Sequence, residues 1–370
     1  MIRLAWLNLV REKTRLAIST VGIALALVLI LVIGGIFAGT EEFAIAYIKN
    51  EPAPIWLMQA GVENMHMSSS YLSPQSAAAA GNVSGVKDAT GVLYVGANLD
   101  VGDDSILGYF IGVDPDAPIG GPWDMVEGSA DLAPGEIVVD QVLASRYGLD
   151  VGDPVSLFGN QLTIAGLSRG NFGVGSSFAF VNKETLAGLA GAPPDSASFV
   201  LVRPENDVDV ERLAAELEEA VPEGNVMLQA SFAESDRDLI RQMGADIVRA
   251  MNIIAYIVGM LVIALTIYTA TLERSREYGM LKALGASFSR LATVVLTQSF
   301  ISATLGAILG IGISYTIAEL IVRVSPDMLV LIVPGSVLNQ VPVLAVVTAI
   351  ASLLPLIRIA SLDPMNVFKA

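Results

Sequence analysis

A chain of 370 residues that is 53% hydrophobic and 16% charged, against about 25% charged in ordinary soluble proteins, reads as a membrane protein, in agreement with its mean hydropathy of +0.62. Its net charge of -16 argues against nucleic acid as a ligand, since phosphates demand a basic surface. With no cysteine, a disulfide framework and thiol chemistry are excluded.

In chain order, residues 1–15 come first, with Ile2, Ala5, Trp6 and Leu9 at i, i+3, i+4 and i+7 and the basic residues mostly off that stripe. This pattern predicts an amphipathic elbow helix lying among membrane lipids at the inner surface. Leu16 to Thr40 is uncharged and long enough to span a bilayer. It exceeds the 7 to 15 residues of a signal-peptide core and ends in no A-x-A motif, so an uncleaved anchor is expected.

Residues 41–240 are far more polar and predict a soluble α+β domain with its own core. A Ser, Gly and Ala rich stretch from Ser68 to Gly85 reads as loop with a short helix. Short β-type runs follow at 92–95, 106–113, 136–140, 154–158, 161–167 and 177–182, with Gly159-Asn160 as a hairpin signal. Residues 198–203 then lead through a helix start at Asn206/Asp207 to a helix carrying Val210, Leu213, Ala214 and Leu217 on one face, followed by an extended run at 225–228. That second part is β-α-β. From Ala233 to Ala250 charges occur throughout, yet Leu239, Met243, Ile247 and Ala250 recur at helical spacing into the next span, which predicts a continuous stalk.

Three more uncharged windows complete a fold of four transmembrane helices with the α+β domain inserted between the first two. Helix 2 is expected over 244–272, a charged segment over 273–289, helix 3 over 291–318, a short external loop over 319–327, helix 4 over 328–357 and a tail over 358–370. Pro334, Pro342 and Pro355 interrupt the last window. Lys and Arg near the helix ends fix orientation. Arg3, Arg11, Lys13 and Arg15, then Arg274, Arg276, Lys282 and Arg290, then Arg358 and Lys369 place both termini and the 273–289 segment in the cytoplasm. From Thr40 to Ile240 there are 30 Asp plus Glu and 8 Lys plus Arg, a balance of -22, so the acidic insert lies outside.

Few residues offer chemistry. No Gly-x-x-x-x-Gly-Lys-Ser/Thr occurs, so no loop of that kind cradles phosphates. His66 is the only histidine, which leaves a histidine-based triad a single centre and zinc almost nothing but carboxylates. Met65-His66-Met67 with Met58 nearby could hold a soft metal, but reads as part of an exposed Ser-rich loop. Asp100, Asp103, Asp104, Asp114 and Asp116 do not follow the calcium-loop spacing and read as solvated turns. No metal site, no cofactor and no catalytic residue is assigned. Gly35 with Gly39 and Gly306 with Gly310 are small-x-x-x-small pairs suited to close helix contact, within one chain or between two.

The segment from Glu273 to Ser287 stands apart. Its charges lie alone between two apolar spans, and Glu273 with Arg276 and Arg274 with Glu277 are i, i+3 pairs that suit a short helix ending before Gly279, with Gly285 a second flexible point. In full, Glu273-Arg274-Ser275-Arg276-Glu277-Tyr278-Gly279-Met280-Leu281-Lys282-Ala283-Leu284-Gly285-Ala286-Ser287 resembles the E-R-x-R-E-x-G-x-L-K-A-x-G-A-S segment of permeases of the MacB, FtsX and LolC/LolE type, the type VII ABC transporters. Ala5 to Arg15, Gly135 to Val139 and Gly148 to Asp153 are similar to that family as well. Asp363-Pro364-Met365-Asn366-Val367 is similar to its P-x-x-A-L ending, with Val367 and Phe368 in place of Ala and Leu.

The resemblance implies a multi-pass subunit of a bacterial plasma membrane that pairs with a second permease chain, like or unlike itself. It also implies an ABC ATPase dimer that binds ATP and Mg and docks on a coupling helix, where Glu273, Arg274, Arg276, Glu277, Gly279, Lys282 and Gly285 would meet it. The permease itself is then no enzyme. ATP-driven motion of the stalk would act on an exterior domain of porter-like and β-rich parts, a mode called mechanotransmission, to extrude or release a lipid, lipoprotein, peptide or drug. The FtsX branch implies the alternative, a scaffold that activates a cell-wall hydrolase, and either role could involve an exterior adaptor.

Overall fold

The computed structural model describes residues 13–173, 176–193, 195–325 and 328–361. The elbow expected from Met1, up to Glu12, and the ending at Asp363 to Val367 lie outside them. The described residues divide into two units. One holds the chain up to Ala38 with residues 244–324 and those from Val330 onward, and the other is the inserted domain, Gly39 to Met243 with 325–329.

Four helices among the described residues are long and apolar enough to cross a bilayer, and the first two of them continue into the inserted domain. They belong to α1 (Lys13–Ala44), a long helix from Gln229 to Glu273, another from Phe288 to Val324, and a final segment from Pro334 to Ala360. The last does not begin at Met328 as the uncharged window suggests. Pro334 takes the first helical position, where its missing N–H costs nothing, and residues 328–333 form no helix. The segment also breaks into two helices, 334–351 and 353–360, because Pro355 can donate nothing to the Ala351 carbonyl and its ring crowds that group. Ser352 fills the break, its hydroxyl bonding Ser299 Oγ at 2.7 Å and the Thr348 carbonyl at 2.8 Å.

Both small-residue pairs find their contacts within this chain. A Cβ on Gly306 would stand 2.7 Å from Ile23 Cβ, and one on Gly310 would stand 2.9 Å from the Ala24 carbonyl, so these glycines let the third long helix lie backbone to backbone on α1. At the other pair, the Gly35 carbonyl accepts the Leu331 N–H at 2.9 Å, and a Cβ on Gly39 would fall on the Leu329 carbonyl.

The inserted domain begins with α2 (Ala46–Asn50) and β1 (Ile55–Gln59), continues through α3 (Pro74–Gly81), β2 (Val86–Val101), β3 (Asp104–Val113), β4 (Met125–Gly128), β5 (Glu136–Asp140) and α4 (Gln141–Tyr147), then β6 (Pro154–Leu157), β7 (Asn160–Ser168), β8 (Phe172–Gly173), β9 (Ser176–Asn182), α5 (Lys183–Ala190), β10 (Phe199–Pro204), α6 (Val210–Ala220) and β11 (Gly224–Leu228). The strands run in the order β11-β1-β10-β2-β3-β9-β5-β7-β4, with β6 beside β2 and β7.

The 16-residue β2 joins the two parts. Its first half, up to Val92, pairs with β10 and its second half, from Leu93, pairs with β3. Around the first half, β10-α6-β11 forms the expected β-α-β unit, with β1 antiparallel between its two strands. Leu213 and Leu217 of α6 pack on Ile55, Leu57, Val200 and Val202. Around the second half, β3 and β9 and also β5 and β7 run parallel, and α4 and α5 cover a core of Phe110, Ile137, Leu157 and Val181.

Two turn expectations shift. The helix start is Asp209, whose carboxylate accepts the Glu211 and Arg212 N–H groups at 3.0 and 3.2 Å, whereas Asp207 sits at φ +62° in the turn before it. In the β6–β7 hairpin Leu157 pairs with Asn160, so the two turn positions are Phe158 at φ +52° and Gly159 at φ +76°, and Asn160 already belongs to the strand. Both positive values are what a two-residue hairpin needs to match strand twist.

Candidate functional site

The long helix that begins inside the inserted domain, α7 (Gln229–Glu273), runs unbroken for 45 residues and ends at the charged segment. After a deviation at Arg274, α8 (Ser275–Ala283) follows, then α9 (Phe288–Val324), α10 (Pro334–Ala351) and α11 (Leu353–Ala360).

Gly279 does not end the short helix as expected. It is buried beside Tyr278 in mid-helix, and the end comes at Gly285. There the Ala286 N–H donates to the Leu281 carbonyl at 2.9 Å and the Gly285 N–H to that of Lys282 at 3.1 Å, with Gly285 at φ +89°. This is a Schellman cap, and its left-handed residue is cheap only as glycine. Gly285 is therefore a fixed stop rather than a swivel.

Two contacts hold α8 to the unit it belongs to, and a third pair is local to it. Tyr278 is buried in a cluster with Ile263, Ile267, Leu291, Val295 and Ile359, against which Leu281 and Ala286 also pack. The Lys282 ammonium donates to the Ala360 carbonyl at 3.0 Å, so a cation satisfies the C-terminus of α11. Arg274 is half-buried and pairs with Glu277 at 3.8 Å. Such a pair is worth about 0.2–1 kcal/mol, so it orients the side chains more than it stabilises the helix.

The predicted residues thus fall into two groups. Glu273, Arg276 and Glu277 lie on the exposed face, whereas Gly279 is buried and Arg274 and Lys282 are turned partly toward the chain itself. The exposed face also carries Met280, Ala283 and Leu284, which with the first three recur at i, i+3, i+4, i+7, i+10 and i+11. Leu284 is 85% exposed and Met280 43%. Sequence reasoning named only the charges, although the spacing of Met280 and Leu284 from Glu273 and Arg276 carries the signal that they share one face.

At its other end, α7 is secured within the inserted domain. The Gln229 amide donates to the Ile48 and Glu51 carbonyls at 2.6 and 2.7 Å. Two turns on, Asp236 is fully buried and accepts the Met65 N–H at 3.0 Å and a hydrogen bond from the His66 ring Nδ1 at 3.2 Å. Arg237 and Arg241 reach Glu42 and Glu41 at 3.5 and 3.0 Å. Met65 and His66 are accordingly buried, not on an exposed loop as the sequence suggests. The His66 ring stands edge-on to Tyr109 at 4.7 Å and Met58 lies in β1, so the backbone N–H bonds to Asp236 draw this segment inward and leave only Met67 exposed. Of the aspartates, Asp100 accepts from Ser105 at 2.7 Å and Asp114 pairs with Lys183 at 3.4 Å.

Glu51, just after α2, is 4% exposed, and its carboxylate accepts the Gly120 N–H at 2.8 Å. Tyr47, fully buried, donates to the Gly120 carbonyl at 3.1 Å. Burial pushes the Glu51 carboxyl up from its ordinary 4.5 to about 7, more than the Gly120 bond pulls it down. A folded-state value above the unfolded one means that stability is complete below about pH 4.5, falls as pH rises toward 7, and is lost above it. At about 1.36 kcal/mol per unit, ionising this group costs the domain about 3 kcal/mol. Glu51→Gln, which keeps the acceptor and removes the charge, should match the parent at pH 4 and melt roughly 5–10 °C higher at pH 8. Melts of the full chain at both pH values check this, and equal melting at pH 8 would contradict it.

Residues 16–220 match the family model described as the MacB-like periplasmic core domain, and residues 249–364 that of the FtsX-like permease C-terminal region. An uncharacterized ABC transporter permease of Mycobacterium bovis is 23% identical over 367 residues, covering 96% of each chain. Another, from Mycobacterium tuberculosis, is 22% identical over 361 residues, again 96% of each. Among solved structures, the periplasmic region of MacB from Actinobacillus actinomycetemcomitans aligns at TM-score 0.39 and 13% identity over 51% of this chain and 94% of that one.

Proposed function

Since the chain belongs to the family of MacB- and FtsX-type ABC transporter permeases, multi-pass membrane proteins that work with an ATPase, we propose that it converts ATP hydrolysis by a separate ATPase dimer into movement of its inserted domain on the exterior side of a bacterial plasma membrane. Both termini and α8 then lie in the cytoplasm, and two permease chains pair. The chain is not itself catalytic, and ATP and Mg bind to the partner. The movement drives extrusion or release of a lipid, lipoprotein, peptide or drug.

One observation carries this reading: a single unbroken helix, α7, begins among the domain's hydrogen bonds at Gln229 and Asp236 and ends at a short helix that leaves Arg276, Glu277, Met280 and Leu284 exposed among the described residues. A helix of 45 residues is about 68 Å long, more than twice the roughly 30 Å of the hydrocarbon core, and since its uncharged stretch runs from Ala250 to Leu272 and it ends at Glu273, the excess length lies on the side of the inserted domain. Displacement of α8 by the ATPase therefore has a stiff path outward. Glu273, Arg276 and Glu277 contribute charge recognition at the docking face, Met280 and Leu284 contribute apolar contact, and Arg274, Gly279, Lys282 and Gly285 keep the helix in shape and in place.

The double variant Arg274→Glu with Arg276→Glu should lose ATPase association, read by co-purification from membranes. Arg276→Glu alone isolates the surface contact, because Arg276 is exposed while Arg274 also serves the helix through Glu277. Full association of the double variant would refute the assignment of α8 as the docking element.

A further inference from the structure

A cleft of about 310 Å³ opens within the inserted domain between the end of α2, the loop after β3 and the segment before β5. Its volume falls in the range of small-molecule sites. Glu51 forms its floor, Asp114 and Asp131 stand exposed in its lining, and Pro118, Pro122 and the half-buried Trp123 supply apolar wall. No Lys or Arg is among the lining residues. The cations around it are engaged: Lys183 of α5 pairs with Asp114 at 3.4 Å, Arg169 with Asp124 at 3.7 Å, and Lys49 with Glu42.

We propose that this cleft binds an aliphatic polyamine, a chain carrying two or more ammonium groups separated by methylenes. Asp131 and the buried Glu51 in one concave site, with Asp114 already sharing its charge with Lys183, favour a positively charged ligand. Among the described residues no three such groups are close enough together to hold a metal ion, so the charge must be distributed along a longer body. Methylene spacers match the proline walls, and the Trp123 ring offers a face to an ammonium group, the best aromatic partner for a cation. A buried carboxylate held by one backbone N–H is costly unless a cation joins it, which makes Glu51 the group that gains most from the ligand. This site lies apart from α8 and does not depend on the docking proposal.

The charged and titratable groups around Glu51 are Tyr47 of its own helix, whose hydroxyl burial pushes well above its ordinary value, with Asp114, Asp131 and Lys183 from the facing loops and α5. Glu51 is therefore the group that changes charge near neutrality, and polyamine binding should be about tenfold weaker at pH 6 than at pH 8.

The test is calorimetric titration of spermidine into the full chain in a neutral detergent at pH 8. One saturable site is expected, weakened at least tenfold by Glu51→Gln and by Trp123→Ala, and unchanged by Glu219→Gln, an exposed acid on α6. The wild-type loss at pH 6 should vanish in Glu51→Gln. Non-saturable binding, or binding that neither cleft variant weakens, would show only diffuse attraction to an acidic domain and overturn the proposal. If a buried-site variant fails to fold, Asp131→Asn decides, since this exposed residue can change without disturbing the core. A threefold or greater loss supports the site, and no loss overturns it.

Discussion

Met280→Asp combined with Leu284→Asp should abolish association with the ATPase while leaving the permease folded in the membrane. Both side chains project from α8 with no core of their own to fill, Leu284 at 85% exposure, so the chain loses little when they become polar. In a docked complex each loses about 1.5–3 kcal/mol of apolar burial, and a buried, unpaired carboxylate adds a penalty on top. Together these exceed about 4 kcal/mol, a weakening of at least a thousandfold. Co-purification with the ATPase and a melt of the permease separate the two effects. Tyr278→Ala supplies the opposite pattern, because its ring is fully engaged in the cluster around Ile263, Leu291 and Val295 and its loss should loosen α8 itself. Undiminished binding by the Met280 and Leu284 double variant would show that charge alone makes the contact.

The sequence revealed the layout because its signals are additive over long windows. Twenty or more uncharged residues cannot be hidden, and alternation over five to nine residues with Gly and Pro punctuation places strands such as β5 and β7 to within a residue of their ends. What stayed hidden depended on partners distant in sequence. β1 passes unnoticed as Ile55-Trp56-Leu57-Met58 because a strand buried on both faces has no alternation, and only β10 and β11, about 145 and 170 residues later, give it a register. The Met65-His66 segment looked exposed since nothing local announces Asp236, an acid about 170 residues later in a helix start rich in charge, as its anchor. Proline shifted the start of the last span, because hydropathy is blind to backbone donors. At the candidate site, charge pattern identified the segment but not its geometry. That Gly279 lies inside the helix and Gly285 caps it follows from Tyr278 packing inward, a tertiary contact that outweighs the tenths of a kcal/mol at stake in the surface ion pairs.

The stalk itself predicts the second large effect. Ala245→Pro places a ring where α7 has an exposed side chain, so nothing is lost from any core, yet the residue can no longer donate to the Arg241 carbonyl and crowds it. A proline inside a helix costs about 3 kcal/mol and bends it. If α7 transmits force as a rod, this variant should keep ATPase association and hydrolysis while the inserted domain stops responding to ATP. Because the chain has no cysteine, a single label on Glu219→Cys reports that response without background. In the parent complex the label should change its fluorescence when ATP is added, and in Ala245→Pro the change should fall to a tenth or less, with Ala245→Ser behaving as the parent. A response preserved in the proline variant would mean that movement reaches the domain by another route, the remaining candidate being α1, which enters the same domain at Gly39 and meets α7 there through the pairs of Glu41 and Glu42 with Arg241 and Arg237. Reversing Glu41 and Glu42 to arginine in the Ala245→Pro background would then remove the residual response, which locates the second path in that ion-pair network rather than in α7.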